Sequence, residues 1–172
     1  MKKTILLDVD ETVVSLVKDW ELWYLNKTGI EMKFKNQDDL EEAMLNHRLD
    51  PLRFWEKNDI YDNAIPLPGA QEFINNYKHK YNFIFCSNCF PGHIESKRSF
   101  LDRYFGPVPF IDTYYKQYIN CDIAIDDRHH FLKVIKDKQP NTEVIQIKAK
   151  YNNEHEGISF MDWDDISIHL GN

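Results

Sequence analysis

Asp8 and Asp10 stand one residue apart, directly after the apolar and β-branched run Thr4-Ile5-Leu6-Leu7. Two carboxylates held together repel and titrate as a coupled pair with one pKa raised. A divalent cation removes that conflict and gives the pair a use. A second acidic pair, Asp126-Asp127, follows Ile123-Ala124-Ile125, and Ser87 follows Phe83-Ile84-Phe85-Cys86. Gathering four carboxylates in one cleft has a steep cost: two unit charges ~4 Å apart repel by about 4 kcal/mol at an effective dielectric of ~20. Oxygen-only ligands with open positions suit Mg²⁺, which takes a couple of carboxylates, retained waters and a substrate phosphate. Taken singly, Asp8-Val9-Asp10 reads equally well as a turn, and Asp126-Asp127 reads better as a helix cap. Their joint placement after apolar runs is what favours a site.

The elements that must position these residues follow from the hydrophobic pattern. Short apolar runs bounded by turn residues predict buried parallel strands at Thr4–Leu7, Asn82–Ser87, Asp122–Ile125 and Glu143–Ile147, with a shorter one at Val108–Ile111. Three- and four-residue apolar spacing predicts a helix from Val13 to Lys27, stopped by Asn26-Lys27-Thr28-Gly29. Beyond a polar loop at Lys35–Asp39, a helix is expected at Leu40–Leu45, and another starts at Pro51 with Asp50 as N-cap. Asn63–Gly69 reads as a rigid connector. Helices are expected at Ala70–Lys80, Gly92–Tyr104, Arg128–Lys138 and Trp163–Leu170. This alternation predicts an α/β fold: a Rossmann-like, three-layer α/β/α core around a parallel sheet, with a small helical block inserted after the first strand. Right-handed crossovers put every strand C-terminus on one edge. Asp8, Asp10, Ser87, Asp126 and Asp127 then converge there, where open α/β sheets place their chemistry.

Bulk properties narrow the field. The chain has 172 residues, 42% of them hydrophobic, enough for one sizeable core. A formal charge of −7 disfavours a nucleic-acid polymer or an anionic membrane as partner. Three cysteines fit a reducing compartment better than a disulfide scaffold, and the expected location is cytoplasmic. Met1-Lys2-Lys3 resembles a signal-peptide start, but the apolar run that follows ends too soon, at Asp8. No stretch is long enough to span a membrane.

The sequence Asp8-Val9-Asp10-Glu11-Thr12 resembles the first motif of the haloacid dehalogenase superfamily of phosphohydrolases. Ser87 after its apolar run is similar to the second motif, Lys97 to the third and Asp126-Asp127 to the fourth. The resemblance implies a catalytic core over residues 1–14 and 66–172 and a helical cap over 15–65. It implies Asp8 as nucleophile, forming an aspartyl-phosphate, and Asp10 as acid and then base. Ser87 and Asn88 would bind phosphate, with Lys97 neutralising its charge and holding Asp8. Mg²⁺ would sit among Asp8, the Asp10 carbonyl, Asp126 and Asp127. Arg53-Phe54-Trp55, Pro66–Ala70, Phe85-Cys86-Ser87 and Lys97 through Tyr104-Phe105-Gly106 narrow the resemblance to the 5'(3')-deoxyribonucleotidase family. The implied partner is a small phosphate ester, a nucleoside monophosphate, with a homodimer left open. Its base would lie among Trp20, Tyr24, Phe54 and Trp55, since aromatic faces stack on bases for about 1–3 kcal/mol each. This chain departs from the family pattern in carrying Asn88-Cys89 after Ser87.

Plainer readings stand beside these. Trp20 and Tyr24 fit a cap core slightly better than a pocket, whereas Phe54 and Trp55 fit the pocket slightly better. Lys97 shares its helix with Arg98 and Arg103, as a solvated face would. The same chemistry on a sugar phosphate or other small metabolite is the nearest alternative, and a non-catalytic ligand-binding protein on this fold is a further one. Cys86-Ser87-Asn88-Cys89 has redox spacing, but Cys86 lies in an apolar strand.

Overall fold

The computed structural model describes residues 2–32, 51–152 and 155–171. The loop expected at 35–39, the helix at 40–45 and the Asp50 cap lie outside the described residues. Strand β1 (Lys3–Leu7) is central. It pairs in parallel with β2 (Tyr81–Ser87) on one side and β4 (Ile123–Asp126) on the other. Strand β3 (Phe110–Asp112) extends the sheet beyond β2, and β5 (Glu143–Ile147) and β6 (Ser159–Met161) extend it beyond β4. The result is a six-stranded parallel sheet of order β3-β2-β1-β4-β5-β6. Strand β6 falls outside the sequence expectation, because Ser159-Phe160-Met161 is a half-exposed edge with no apolar run to mark it.

Alternate residues of each strand feed two different cores, as a period of two requires. Ile5, Leu7, Phe83, Phe85, Ile123, Ile125, Ile145 and Ile147 face one side. Helices α2 (Ala70–Tyr77), α3 (Ile94–Phe105) and α5 (Trp163–Gly171) cover them, through residues such as Phe73, Phe100 and Ile166. Leu6, Cys86, Ala124 and Val144 face the other side, under Leu132 and Ile135 of α4 (His129–Lys138). A third, smaller cluster joins Val17, Trp20 and Tyr24 of α1 (Val17–Thr28) to Met32, Phe54 and Tyr151. Among the described residues, no helix is long and apolar enough to cross a membrane.

Helix α1 starts four residues later than its apolar spacing predicts. Val13, Val14 and Leu16 are fully buried, but as parts of a tight turn over the end of β1. Backbone N–H groups of Val13 and Val14 both donate to the Val9 carbonyl, at 2.9 and 3.2 Å. Glu11 adopts φ +54°, an uncommon conformation for a non-glycine residue. That conformation sends its side chain to the start of α1. There Oε1 accepts the Leu16 and Val17 N–H groups at 2.7 and 2.9 Å, and Oε2 accepts the Ser15 hydroxyl at 2.9 Å. Glu11 thus caps α1 from outside the helix, satisfying donors that every helix start leaves open. The helix ends as expected, at Gly29 with φ +70° and its N–H on the Leu25 carbonyl. The helix expected from Pro51 is only a 3-10 turn, Pro51–Phe54.

The turn after β1 is pinned from two further directions. Leu67 of the connector donates its N–H to the Val13 carbonyl at 2.8 Å, and the Trp163 indole N–H donates to the Thr12 carbonyl at 2.9 Å. Gly69 then lets the connector pass the C-terminal helix. Its φ is +81°, and a Cβ there would lie 2.8 Å from that of Trp163.

Replacing Glu11 by Ala leaves two buried N–H groups without an acceptor. Each such loss costs about 1–3 kcal/mol, so Glu11→Ala is expected to destabilise by roughly 2–6 kcal/mol in urea unfolding. Glu11→Gln keeps an acceptor oxygen and is expected to lose less than half as much.

Candidate active site

The sheet edge brings the acidic residues together as right-handed crossovers require. Asp8 follows β1, with its N–H on the Ile125 carbonyl at 2.9 Å; Asp126 is the last residue of β4 and Asp127 the next. All three are buried, and each offers an oxygen within 4.8 Å of the others. Ser87 ends β2, and Asn88 is exposed in the loop just past it.

Two lysines divide the site into halves. Lys116, in the 3-10 turn Lys116–Tyr118 after β3, places Nζ 2.6 Å from Asp8 Oδ1 and 2.6 Å from Asp126 Oδ2. Its ammonium also sits 4.8 Å from the centre of the Phe131 ring. Lys97, in the first turn of α3, donates instead to Asp10 Oδ2 at 2.7 Å and to Ser87 Oγ at 2.7 Å. The Ser87 hydroxyl donates to the same Asp10 oxygen at 3.3 Å. Asp10 Oδ1 accepts the Tyr61 hydroxyl at 2.5 Å. Asp127 is held by the Tyr151 hydroxyl on Oδ2 and by Thr12 Oγ1 on Oδ1 at 3.5 Å.

This arrangement corrects one expectation. The ammonium against Asp8 belongs to Lys116, not Lys97. Helix α3 starts over the end of β2, so Lys97 reaches Ser87 and the Asp10 side of the cleft. The chain after β3 packs on α4 and delivers Lys116 to Asp8 and Asp126 from that face. The solvated-face reading of α3 also fails at Lys97, whereas Arg103 is exposed. Lys97 is 1% exposed, and Arg103 donates to the Tyr61 and Asp62 carbonyls; Arg98 pairs with Asp102 on the surface.

Electrostatics separate the two halves. Burial, aided by the neighbouring Asp126 and Asp10 charges and opposed by Lys116, pushes Asp8 up to about 6. Burial and the Asp126 charge likewise raise Asp127 well above the usual carboxylate range. Burial also acts against ionised Asp10, but the Lys97 ammonium and the Tyr61 hydroxyl outweigh it and leave Asp10 below its ordinary value. Burial pulls on both ammonium groups too, yet their carboxylate partners prevail and keep each protonated. Tyr61 is pushed far up, chiefly by burial and then by Asp10, so its hydroxyl stays a donor.

Comparison with known proteins fits this geometry. No family model matches the chain. It is 27% identical over 179 residues to a Bacillus subtilis (strain 168) protein named 5'(3')-deoxyribonucleotidase, covering 99% of both chains. A Bacillus phage SPbeta protein of the same name matches equally. Among solved structures, a HAD family hydrolase from Deinococcus radiodurans R1, with bound phosphate and sodium, superposes with a TM-score of 0.65 at 13% identity, over 99% of this chain and 95% of that one. The chain has the haloacid dehalogenase-like fold.

On that fold, Asp8, Asp126 and Asp127 are the residues fitted to hold a divalent cation. Their donors are all carboxylate oxygens, as hard cations prefer. One buried ammonium, Lys116, pairs with two of the three buried carboxylates, so the cluster carries negative charge that burial makes costly. The Asp10 side chain faces away from this cluster, toward Lys97 and Ser87.

The aromatic residues expected around a base are placed differently from one another. Trp20 and Tyr24 are fully buried and Phe54 nearly so, all three in the α1 cluster, where they form a core rather than an open wall. Trp55 is half-buried, edge-on to Phe54 at 5.1 Å, and its indole nitrogen has no hydrogen-bond partner among the described residues. Of the four, Trp55 alone keeps substantial accessible surface. The cysteines do not support redox chemistry: burial pushes Cys86 up to about 12 and Cys89 up to about 11, the opposite of a reactive thiolate.

Tyr61, Tyr151 and Lys116 had no motif to mark them. The one cue for Lys116 is a lone lysine within Tyr114-Tyr115-Lys116-Gln117-Tyr118, ten residues before Asp126. Lys116→Met strands two buried carboxylates. It is expected to lower stability in urea by about 3–5 kcal/mol in metal-free buffer, and added MgCl₂ is expected to recover more stability in this variant than in the wild type.

Proposed function

We propose that this chain is a Mg²⁺-dependent phosphomonoester hydrolase that dephosphorylates nucleoside monophosphates, in the manner of a 5'(3')-deoxyribonucleotidase. One observation carries the chemistry. Asp8 and Asp10, two positions apart, occupy opposite halves of one cleft, the first with Lys116 and the acidic cluster, the second with Ser87 and Lys97. The substrate class rests on the two relatives that share the chain's full length.

Asp8 is the nucleophile in this reading. Its oxygen bonds to phosphorus as the ester bond breaks, giving an aspartyl-phosphate. Asp10 supplies the proton that the departing ester oxygen needs, and later takes one from the water that cleaves the phosphoenzyme. Ser87 and Lys97 donate to phosphoryl oxygens. Both also donate to Asp10, so a bound phosphate competes with Asp10 for them. Losing them moves Asp10 toward its protonated form, the one the first half-reaction requires. Asp8, Asp126 and Asp127 would hold a divalent cation, which would favour their ionised forms and offset the charge of an anionic ester. Lys116 fixes Asp8 and Asp126 relative to each other.

Residues 15–65 are proposed as a cap over a core of residues 1–14 and 66–172; α1 and Phe54 share a small apolar cluster there, which also takes in Tyr151 of the core segment. Of the four aromatic residues expected around a base, Trp55 is the one whose partial exposure supports contact with it.

Phosphate release from a panel of nucleoside monophosphates, sugar phosphates and an aryl phosphate tests the reading. Highest kcat/KM is expected on nucleotides such as dUMP and dTMP. A preference for sugar phosphates would keep the chemistry and move the substrate class. No release from any of them would overturn both. Asp8→Asn is expected to lower kcat by about 10³-fold or more, as loss of a nucleophile does. EDTA is expected to stop the reaction and excess Mg²⁺ to restore it.

A further inference from the structure

Tyr61 is 1% exposed, in the turns that lead from the Pro51–Phe54 turn to the connector. Helix α3 grips it from behind. The Tyr61 N–H donates to Ser96 Oγ at 3.2 Å, and its carbonyl accepts from Arg103 Nη2 at 3.1 Å. The next residue doubles both links: the Asp62 carboxylate accepts the Ser96 hydroxyl at 2.8 Å, and the Asp62 carbonyl accepts from Arg103 Nη1 at 2.8 Å. The ring is wedged between His93 and Phe100, with centroids at 5.9 and 6.2 Å, and the Lys97 ammonium lies 5.1 Å from its centre. Five residues of one helix and its entry turn therefore fix where the phenol oxygen points, and it points at Asp10 Oδ1.

The two oxygens of Asp10 are thereby made unequal. Oδ1 has the phenol and Oδ2 has Ser87 and Lys97. Ser87 and Lys97 are the groups a phosphate would draw away; Tyr61, enclosed and facing Asp10 alone, is not. We infer that Tyr61 is a positioning residue for proton transfer by Asp10: it holds Oδ1 as an acceptor and so assigns the transferable proton to Oδ2, the oxygen beside Ser87 and Lys97. The inference rests on the phosphatase reading above. In the first step the Asp8 oxygen forms a bond to phosphorus while the phosphorus–ester oxygen bond breaks. The ester oxygen keeps that electron pair, takes the Oδ2 proton and leaves as an alcohol, and Asp10 is left as a carboxylate still bonded to Tyr61. In the second step a water oxygen bonds to phosphorus, the Asp8–phosphorus bond breaks, and the water proton returns to Oδ2.

A residue that orients a general acid matters most when the leaving group needs a proton. The test compares Tyr61→Phe with wild type on a nucleoside monophosphate, whose alcohol leaves poorly, and on p-nitrophenyl phosphate, whose phenolate leaves unaided. The readout is kcat/KM, which reports steps only through release of the first product and so excludes hydrolysis of the phosphoenzyme. Tyr61→Phe keeps the ring, and its thermal unfolding is recorded alongside. For the nucleotide, kcat/KM is expected to fall about 10- to 100-fold, the scale of a misoriented proton donor. For p-nitrophenyl phosphate it is expected to change less than about twofold on the same reasoning. Equal losses on both esters, or no loss on either, would overturn the role of Tyr61 while leaving the phosphatase reading intact. A wild type that hydrolyses neither ester would overturn that reading and the inference with it.

Discussion

Four carboxylates at one end of a sheet set the terms for the rest of this molecule. Asp8, Asp126 and Asp127 are buried and mutually within reach, and Asp10 opens the neighbouring half of the cleft. At an effective dielectric of ~20 each close pair costs about 4 kcal/mol of repulsion. Two buried ammonium groups answer part of this. Lys116 bridges Asp8 and Asp126, and Lys97 takes Asp10. Neither lysine is interchangeable with the other, since each comes from a different layer and meets a different carboxylate. Burial, together with the negative charge left around Asp8 and Asp127, raises their carboxyls and suits the cluster to a dication.

Holding such a cluster requires backbone that does not relax. The turn after β1 is fixed by its own bonds to Val9, by the connector at Leu67 and by the Trp163 indole. Glu11 ties the same turn to the start of α1. Elements from residues 67 and 163 thus brace a turn at residues 9–14. A fold in which β1 is central allows this, because both halves of the chain pass beside its C-terminal end.

The layout of the sheet was legible in the sequence because buried parallel strands are short unbroken apolar runs, and β1, β2, β4 and β5 each have one. Strand β6 has none, and an edge strand needs none. Asp8, Ser87, Asp126 and Asp127 were legible for the same reason: each immediately follows such a run, and the crossover rule carries it to the shared edge. Lys116 and Tyr61 were not. Each reaches the site from a turn whose path is set by tertiary packing, Lys116 by the seat of its turn on α4 and Tyr61 by the clamp from α3. Sequence spacing favoured Lys97, which sits in a helix after a recognised strand end and does enter the cleft. It could not say which carboxylate Lys97 would meet. Glu11 shows the same limit in miniature, since an apolar period through Val13, Leu16 and Val17 fits a helix as well as it fits a buried turn followed by one.

The aromatic content, 14% of the chain, also acquires a different meaning in three dimensions. Phe73, Phe83, Phe100, Phe105 and Trp163 fill the main core, and Trp20, Tyr24 and Phe54 fill the small one. What links those cores to the chemistry is the polar tip of two tyrosines. Tyr61 belongs to the main core and bonds Asp10; Tyr151 belongs to the α1 cluster and bonds Asp127. A buried hydroxyl that lost its carboxylate would be left without a partner, at a cost of about 1–3 kcal/mol. The α1 cluster therefore cannot shift with Tyr151 without disturbing Asp127, nor can α3 shift with Tyr61 without disturbing Asp10. Tyrosine suits this position better than phenylalanine or tryptophan because its ring packs as a hydrophobe while its hydroxyl reaches past the core edge to a carboxylate.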